Sequence, residues 1–187
     1  MIDIHCHILY GVDDGSFSLE ETVKMVKIAE QGGTRAIIAT PHSNVPDLYQ
    51  NHWNTEFDLK IELINKALDE NGIDVKVYKG QEIFCAGRFA ELLITGELIT
   101  LNDSRYPLIE FDFYENSRTA YSRLSRLVAK GYVPIVAHPE RYEFVFEEED
   151  AARKLKEIGC LLQINKGSLS GAFGCEAQKV AHRLLED

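Results

Sequence analysis

The chain has 187 residues, 45% hydrophobic and 27% charged, with a formal net charge of −10, which suits one domain with a sizeable core. A field of that sign repels nucleic-acid backbones. No apolar run approaches the ~20 residues of a membrane helix and no basic-then-apolar leader opens the chain, so a cytoplasmic protein with neither nucleic-acid partner nor membrane insertion is expected.

The predicted elements alternate between strand and helix. Ile2 to Ile4 reads as a strand that runs into His5-Cys6-His7, where a period of two would put both imidazoles on one face. Ser18 and Glu21 form a capping box that opens a helix ending at Gly32-Gly33. "RAIIA" (35–39) is a short apolar strand. "FDLKIELINKALDENG" (57–72) carries Phe57, Ile61, Ile64 and Leu68 at helical spacing. "DVKVYKG" reads as a strand, "RFAELLI" as a short helix, "PLIEFDF" as a strand and "SRTAYSRLSRLVAKG" as a helix closed by Gly131. "VPIVAH" is a strand, and "EEEDAARKLKEIG" a helix with acids at its start, where the dipole favours them. "LLQIN" is a strand and "EAQKVAHRLLED" the last helix. Such alternation predicts an α/β domain with a parallel sheet wrapped by helices, without deciding between a closed barrel and an open sheet.

Polar residues gather where such folds place function, at the carboxyl ends of the strands. In order these ends carry His5 and His7, His42, Glu82, Glu110, then His138 with Glu140 and Arg141, and finally Gln163 and Asn165. Each residue taken singly reads as a turn residue, a solvated carboxylate or a hydrogen-bonded core histidine. As a set they predict a ring of metal-ligand types around one mouth, since bound cations resolve the cost of buried carboxylates. His52, beside Trp53, is a candidate for lining a substrate cleft, and His182 reads as structural or solvated. The four cysteines, Cys6, Cys85, Cys160 and Cys175, lie far apart with no CxxC pair, which argues against a disulfide framework or zinc knuckle. Nor is there a C-x5-R pattern, which argues against a cysteine-dependent phosphatase.

The segments "IDIHCHILYGVDDG", "ATPH", "GQEI", "LNDSRYPLIEF" and "AHPERY", in this order, resemble the PHP (polymerase and histidinol phosphatase) superfamily. More closely they are similar to its bacterial protein-tyrosine phosphatases of capsule and exopolysaccharide operons. The resemblance implies a single PHP-type domain over residues 1–187, folded as a distorted TIM-like (β/α)7 barrel. It implies a cluster of up to three divalent metals, manganese first, with iron or zinc as alternatives. It also implies hydrolysis of phosphotyrosine on a bacterial tyrosine autokinase of polysaccharide synthesis. By the same resemblance His5, His7 and Glu82 hold one metal, and Glu82 bridges to a second held by Glu110 and His138. Asp14 and His42 belong to a third, with neighbouring Asp13 as the alternative to Asp14. Arg141 grips the substrate phosphate, and with His138 it forms the catalytic pair. A metal-bound hydroxide is the expected nucleophile.

The family closes its barrel with a seventh strand bearing an Asp-x-His pair, and no such pair occurs here. The resemblance therefore implies a domain shortened at its carboxyl end, without that strand. Its exposed sheet edge could be covered by a second copy of the chain. Two further functions stay open on the sequence: a small-molecule phosphoesterase of the histidinol-phosphatase type, and a catalytically impaired phosphate-binding fragment.

Overall fold

In the computed structural model, which describes residues 1–186, parallel strands and intervening helices follow one another along two compact units, Met1–Ser104 and Arg105–Asp187. Asp187, the last residue of the predicted final helix, lies outside the described residues. No helix among them is long and apolar enough to cross a membrane.

The first unit begins with β1 (Ile2–Cys6), α1 (Leu19–Gln31) and β2 (Ala36–Ala39). Ser18 caps α1 as expected, its hydroxyl accepting from the Glu21 amide at 3.2 Å. The return bond differs from the predicted box: the Glu21 carboxylate accepts from the Phe17 amide at 2.7 Å. After β3 (His42–Ser43) and α2 (Thr55–Glu70) come β4 (Lys76–Lys79), β5 (Glu82–Phe84) and α3 (Phe89–Thr95). β1, β2 and β4 are parallel, with Ile2 opposite Ala36 and Ile37 opposite Val77. Their inner face packs Ile37, Ala39 and Val77 against Val26 of α1 and against Phe57, Ile64 and Leu68 of α2. The 57, 61, 64, 68 spacing thus faces the core as a helical stripe should.

Two expected strands are split. The sequence pattern predicts strand ends at His42 and Glu82; each instead starts a second short strand. Pro41 has no N–H, so the β2 ladder stops there. At Gly80 the backbone passes so near β2 that a Cβ would lie 2.7 Å from the Ile38 Cγ2. The displaced segments pair with each other as β3 and β5, which sets His42 directly opposite Glu82.

The second unit contains β6 (Leu108–Glu110), α4 (Ser117–Val128), β7 (Ile135–Ala137), α5 (Glu143–Glu147), α6 (Ala151–Ile158), β8 (Leu161–Gln163), α7 (Lys166–Leu169) and α8 (Cys175–Glu186). β6, β7 and β8 are parallel, with Leu108 opposite Ile135 and Ile135 opposite Leu161. Every residue of β6 and β7 is buried, as expected for parallel strands covered on both faces. The helix predicted over "EEEDAARKLKEIG" (147–159) starts four residues late, at Ala151 as α6, and follows the short α5, which the sequence pattern does not predict. Glu148 adopts an extended backbone between them, and its carboxylate accepts from Lys154 Nζ at 2.9 Å and the Tyr121 hydroxyl at 3.2 Å. The acids at 148–150 therefore form a link rather than a first helical turn. α7 was not anticipated.

Candidate metal centre

In the first unit, His5 lies in β1 and His7 just past its end. Cys6 between them packs against the core, so the two imidazoles share the opposite face, with their Nε2 atoms 3.3 Å apart. Glu82 meets them there with a fully buried side chain. One carboxylate oxygen is 3.1 Å from His5 Nε2, and the other is 3.2 Å from His7 Nε2 and 3.0 Å from His42 Nδ1. An ionised carboxylate at such a site needs compensating positive charge. Imidazole nitrogens and carboxylate oxygens are the donor set that first-row divalent metals take. One such set is His7, His42 and Glu82, and another is His7, Asp13 and Asp14; the ligand atoms within each all lie within 4.8 Å of one another. The residues present fit a divalent cation.

The two adjacent aspartates do different things. The Asp13 side chain is fully buried, with Oδ2 2.7 Å from His7 Nδ1; it also accepts from the His42 amide at 2.9 Å and the Gly15 amide at 3.0 Å. Burial works to raise its carboxyl pKa, but the His7 contact and these amides outweigh it and hold the group below the ordinary aspartate range. A carboxylate on Nδ1 fixes the His7 ring and leaves Nε2 to face Glu82. The Asp14 side chain is 65% exposed, with Oδ1 3.8 Å from the same His7 Nδ1 and 3.7 Å from His42 Nε2. Burial also works against a charged His7, yet Asp13 and Glu82 prevail and push it up to about 9.

Several supporting residues went unseen in the sequence. Gly15 folds so tightly over His7 that a Cβ would lie 2.1 Å from the His7 carbonyl oxygen, which is why the aspartate turn ends on glycine. Asn51, at φ 40°, donates to both Val12 O at 2.9 Å and His42 O at 2.8 Å. Gln81 ties Asn51 down by donating to its carbonyl at 2.6 Å. Tyr49 stacks on His42 with centroids 5.8 Å apart. An asparagine in a polar loop is the only signal the sequence carries for Asn51, and it does not say which carbonyls the side chain reaches. His52 pairs with Glu97 at 3.4 Å, while neighbouring Trp53 donates to Asp58 at 3.0 Å. His182 is exposed on α8.

In the second unit, Glu110 ends β6 and His138 follows β7. Their side chains are 11% and 3% exposed, and His138 Nε2 is 3.7 Å from Glu110 Oε1. His138 adopts a left-handed backbone, φ 33° and ψ 55°, a conformation costly for a residue with a Cβ. Its amide donates to Gln163 Oε1 at 3.4 Å. The turn it starts, Pro139–Arg141, brings Arg141 beside Phe113, whose ring also lies 6.3 Å from that of His138. Glu140 points elsewhere: fully buried, it accepts from the Asn165 amide at 2.9 Å and the Ser168 hydroxyl at 2.6 Å, anchoring α7. Glu140 is therefore a structural staple.

No thiol is set up as a nucleophile at these positions. Burial pushes Cys6 up to about 12, helped by the charges of Asp3 and Asp13, and burial does the same to Cys160; thiolate chemistry needs the opposite shift.

A family model described as "Capsular polysaccharide synthesis, CpsB/CapC" matches residues 1–187. Tyrosine-protein phosphatase YwqE of Bacillus subtilis is 40% identical over 186 residues, covering 100% of this chain and 72% of the relative. Tyrosine-protein phosphatase CpsB of Streptococcus pneumoniae is 35% identical over 172 residues, covering 91% of this chain and 69% of its own length. Among solved structures, one from the pair YwqE and CpsB of the same two organisms, described as unique metal-dependent tyrosine phosphatases, superposes with a TM-score of 0.91. It is 39% identical, and the match covers 100% of this chain and 74% of that one.

Proposed function

The chain belongs to the CpsB/CapC family of capsular polysaccharide synthesis, and from that premise we propose which residues carry its chemistry and on what substrate. Its activity is that of a metal-dependent tyrosine phosphatase. The observation that best supports the residue assignment is the meeting of three imidazoles on the one buried carboxylate of Glu82. His5, His7, Asp14, His42 and Glu82 of the first unit are the metal ligands in this reading, and Glu110 and His138 are the ligand pair of the second. Manganese is the favoured metal, with iron and zinc accepting the same donors. The PHP-type barrel and a cytoplasmic location belong to the same proposal, carried by the motif resemblance.

Bound metal supplies Lewis acidity toward phosphate oxygens and an activated water at neutral pH. The chain's own residues do the rest. Asp13 holds the His7 Nδ1 proton so that Nε2 faces the site. Glu82 orients three rings at once. Arg141 offers a planar fork of N–H donors that pairs bidentately with a phosphate, which a lysine would not reproduce. The substrate in this proposal is phosphotyrosine on a bacterial tyrosine autokinase of polysaccharide synthesis.

The decisive experiment follows turnover of a phosphotyrosyl peptide by the purified chain, with manganese and with chelator, and measures metal content on the same sample. Chelator-sensitive turnover that tracks bound metal is expected. Turnover indifferent to chelator, or metal bound with no turnover, would count against the assignment.

A further inference from the structure

The Arg141 guanidinium is held by rings rather than by acceptors. Its Cζ lies 4.5 Å from the centroid of Phe113 and 4.7 Å from that of Phe173. Among the described residues it makes no ion pair and no side-chain hydrogen bond, whereas Arg123 and Arg153 are each tied to carboxylates. An arginine fixed by aromatic faces keeps all its N–H donors free for an outside anion. Arg141, Phe113 and Phe173 also line one cleft of about 520 Å³, along with Tyr114 and Phe146. The guanidinium is therefore fixed beside space that a ligand can enter.

Phe173 is 47% exposed, so the core does not account for its place. What holds it is α7. A Cβ on Gly167 would lie 2.8 Å from Phe173 Cε2, so the ring rests directly on glycine backbone. The turn folds back over the helix through Ala172 N to Gly167 O at 2.9 Å and Gly171 N to Ser168 O at 3.0 Å. Glu140, one residue before Arg141, anchors the same helix from below through Asn165 and Ser168. Both the arginine and the ring that covers it are thus referenced to α7.

We propose that Phe173, seated on Gly167, is a positioning residue that clamps the Arg141 guanidinium against Phe113 and so presets it for the phosphate of the substrate. The proposal rests on the reading of Arg141 as the phosphate-binding residue. The clamp spares the enzyme the ordering cost that a mobile arginine would add to each binding event.

The test is calorimetric titration of the metal-loaded chain with inorganic phosphate, with metal content checked for every variant. Phe173→Leu keeps bulk but removes the π face, and should weaken phosphate binding about 3- to 30-fold, the span of a cation–π contact. Phe173→Tyr should restore it. Gly167→Ala displaces the ring from outside the clamp; it should weaken binding similarly and add nothing to Phe173→Leu. Wild-type affinity in Phe173→Leu alongside weakened binding in Arg141→Ala would overturn the clamp and leave the role of Arg141 standing. Phe173→Tyr as weak as Phe173→Leu would overturn it as well, reducing Phe173 to packing. Unchanged affinity in Arg141→Ala would remove the premise and the clamp with it.

Discussion

At the residue scale, Asp13 and Asp14 show how neighbours of one chemical type divide a task. The sequence pattern could not separate them, because both follow the histidine pair and either could reach a metal. The division comes from the turn at Gly15, which drives Asp13 inward onto His7 Nδ1 and leaves Asp14 65% exposed. On the proposed ligand set, Asp13 orients a ligand and Asp14 is one. Asp13→Asn keeps the shape and the Gly15 contact but loses the charge on the ring; losing such an orienting carboxylate typically costs about 10- to 100-fold in metal affinity. The expected outcome is weaker binding with the full metal count recovered at saturation. Asp14→Asn should instead lower the count itself. Metal titration followed by elemental analysis separates the two, and the reverse pattern would exchange their roles. His138→Ala should cut metal content and abolish turnover; unchanged activity would remove His138 from the ligand set.

At the element scale, the first unit solves an edge problem with one side chain. β4 pairs with β2 on one side only, which leaves an outer edge beside α2. Asn65 of α2 covers it, donating to Val77 O and accepting from Val77 N, each at 2.9 Å. Asn65 and Val77 are both buried, so no water takes over if the amide is removed. Asn65→Leu strands a buried donor and a buried acceptor at roughly 1–3 kcal/mol each, and should destabilise the chain by about 2–6 kcal/mol in urea titration with an unchanged slope. A loss under ~0.5 kcal/mol would show that β4 does not need this cover. Strand and helix alternation, the Ser18 cap and the α2 stripe were readable because each rests on local spacing. The break at Gly80 was not, because it depends on how closely the backbone there approaches β2, and the proline at 41 stops one ladder without telling which strand the next segment joins. α7 escaped because its four residues carry no period, and Glu140, which anchors it, looked like one more member of an acidic ring.

At the scale of the whole molecule, the formal charge of −10 is spread unevenly in its consequences. Most acids sit in solvent at little cost, but Glu82 and Asp13 are fully buried as side chains. Without metal, compensating charge comes from His7, which Asp13 and Glu82 push up to about 9. On the proposed ligand set a divalent cation takes over this task and favours the folded chain, because the unfolded chain does not hold His5, His7, His42 and Glu82 together. Metal occupancy and folding stability are therefore linked. Metal at 100 times its dissociation constant adds about 2.7 kcal/mol. In a chain of this length each kcal/mol shifts the melting temperature by roughly 2–4 °C. Stripping the metal with chelator should lower the melting temperature by about 5–11 °C, and returning manganese should restore it. Coincident melts of metal-loaded and metal-stripped protein, with the contents verified, would mean that these residues are held together by their own hydrogen bonds and that the metal adds nothing to the fold. The restoring power of different ions would then rank them: the metal that raises the melting temperature most at equal concentration is the one this donor set binds most tightly.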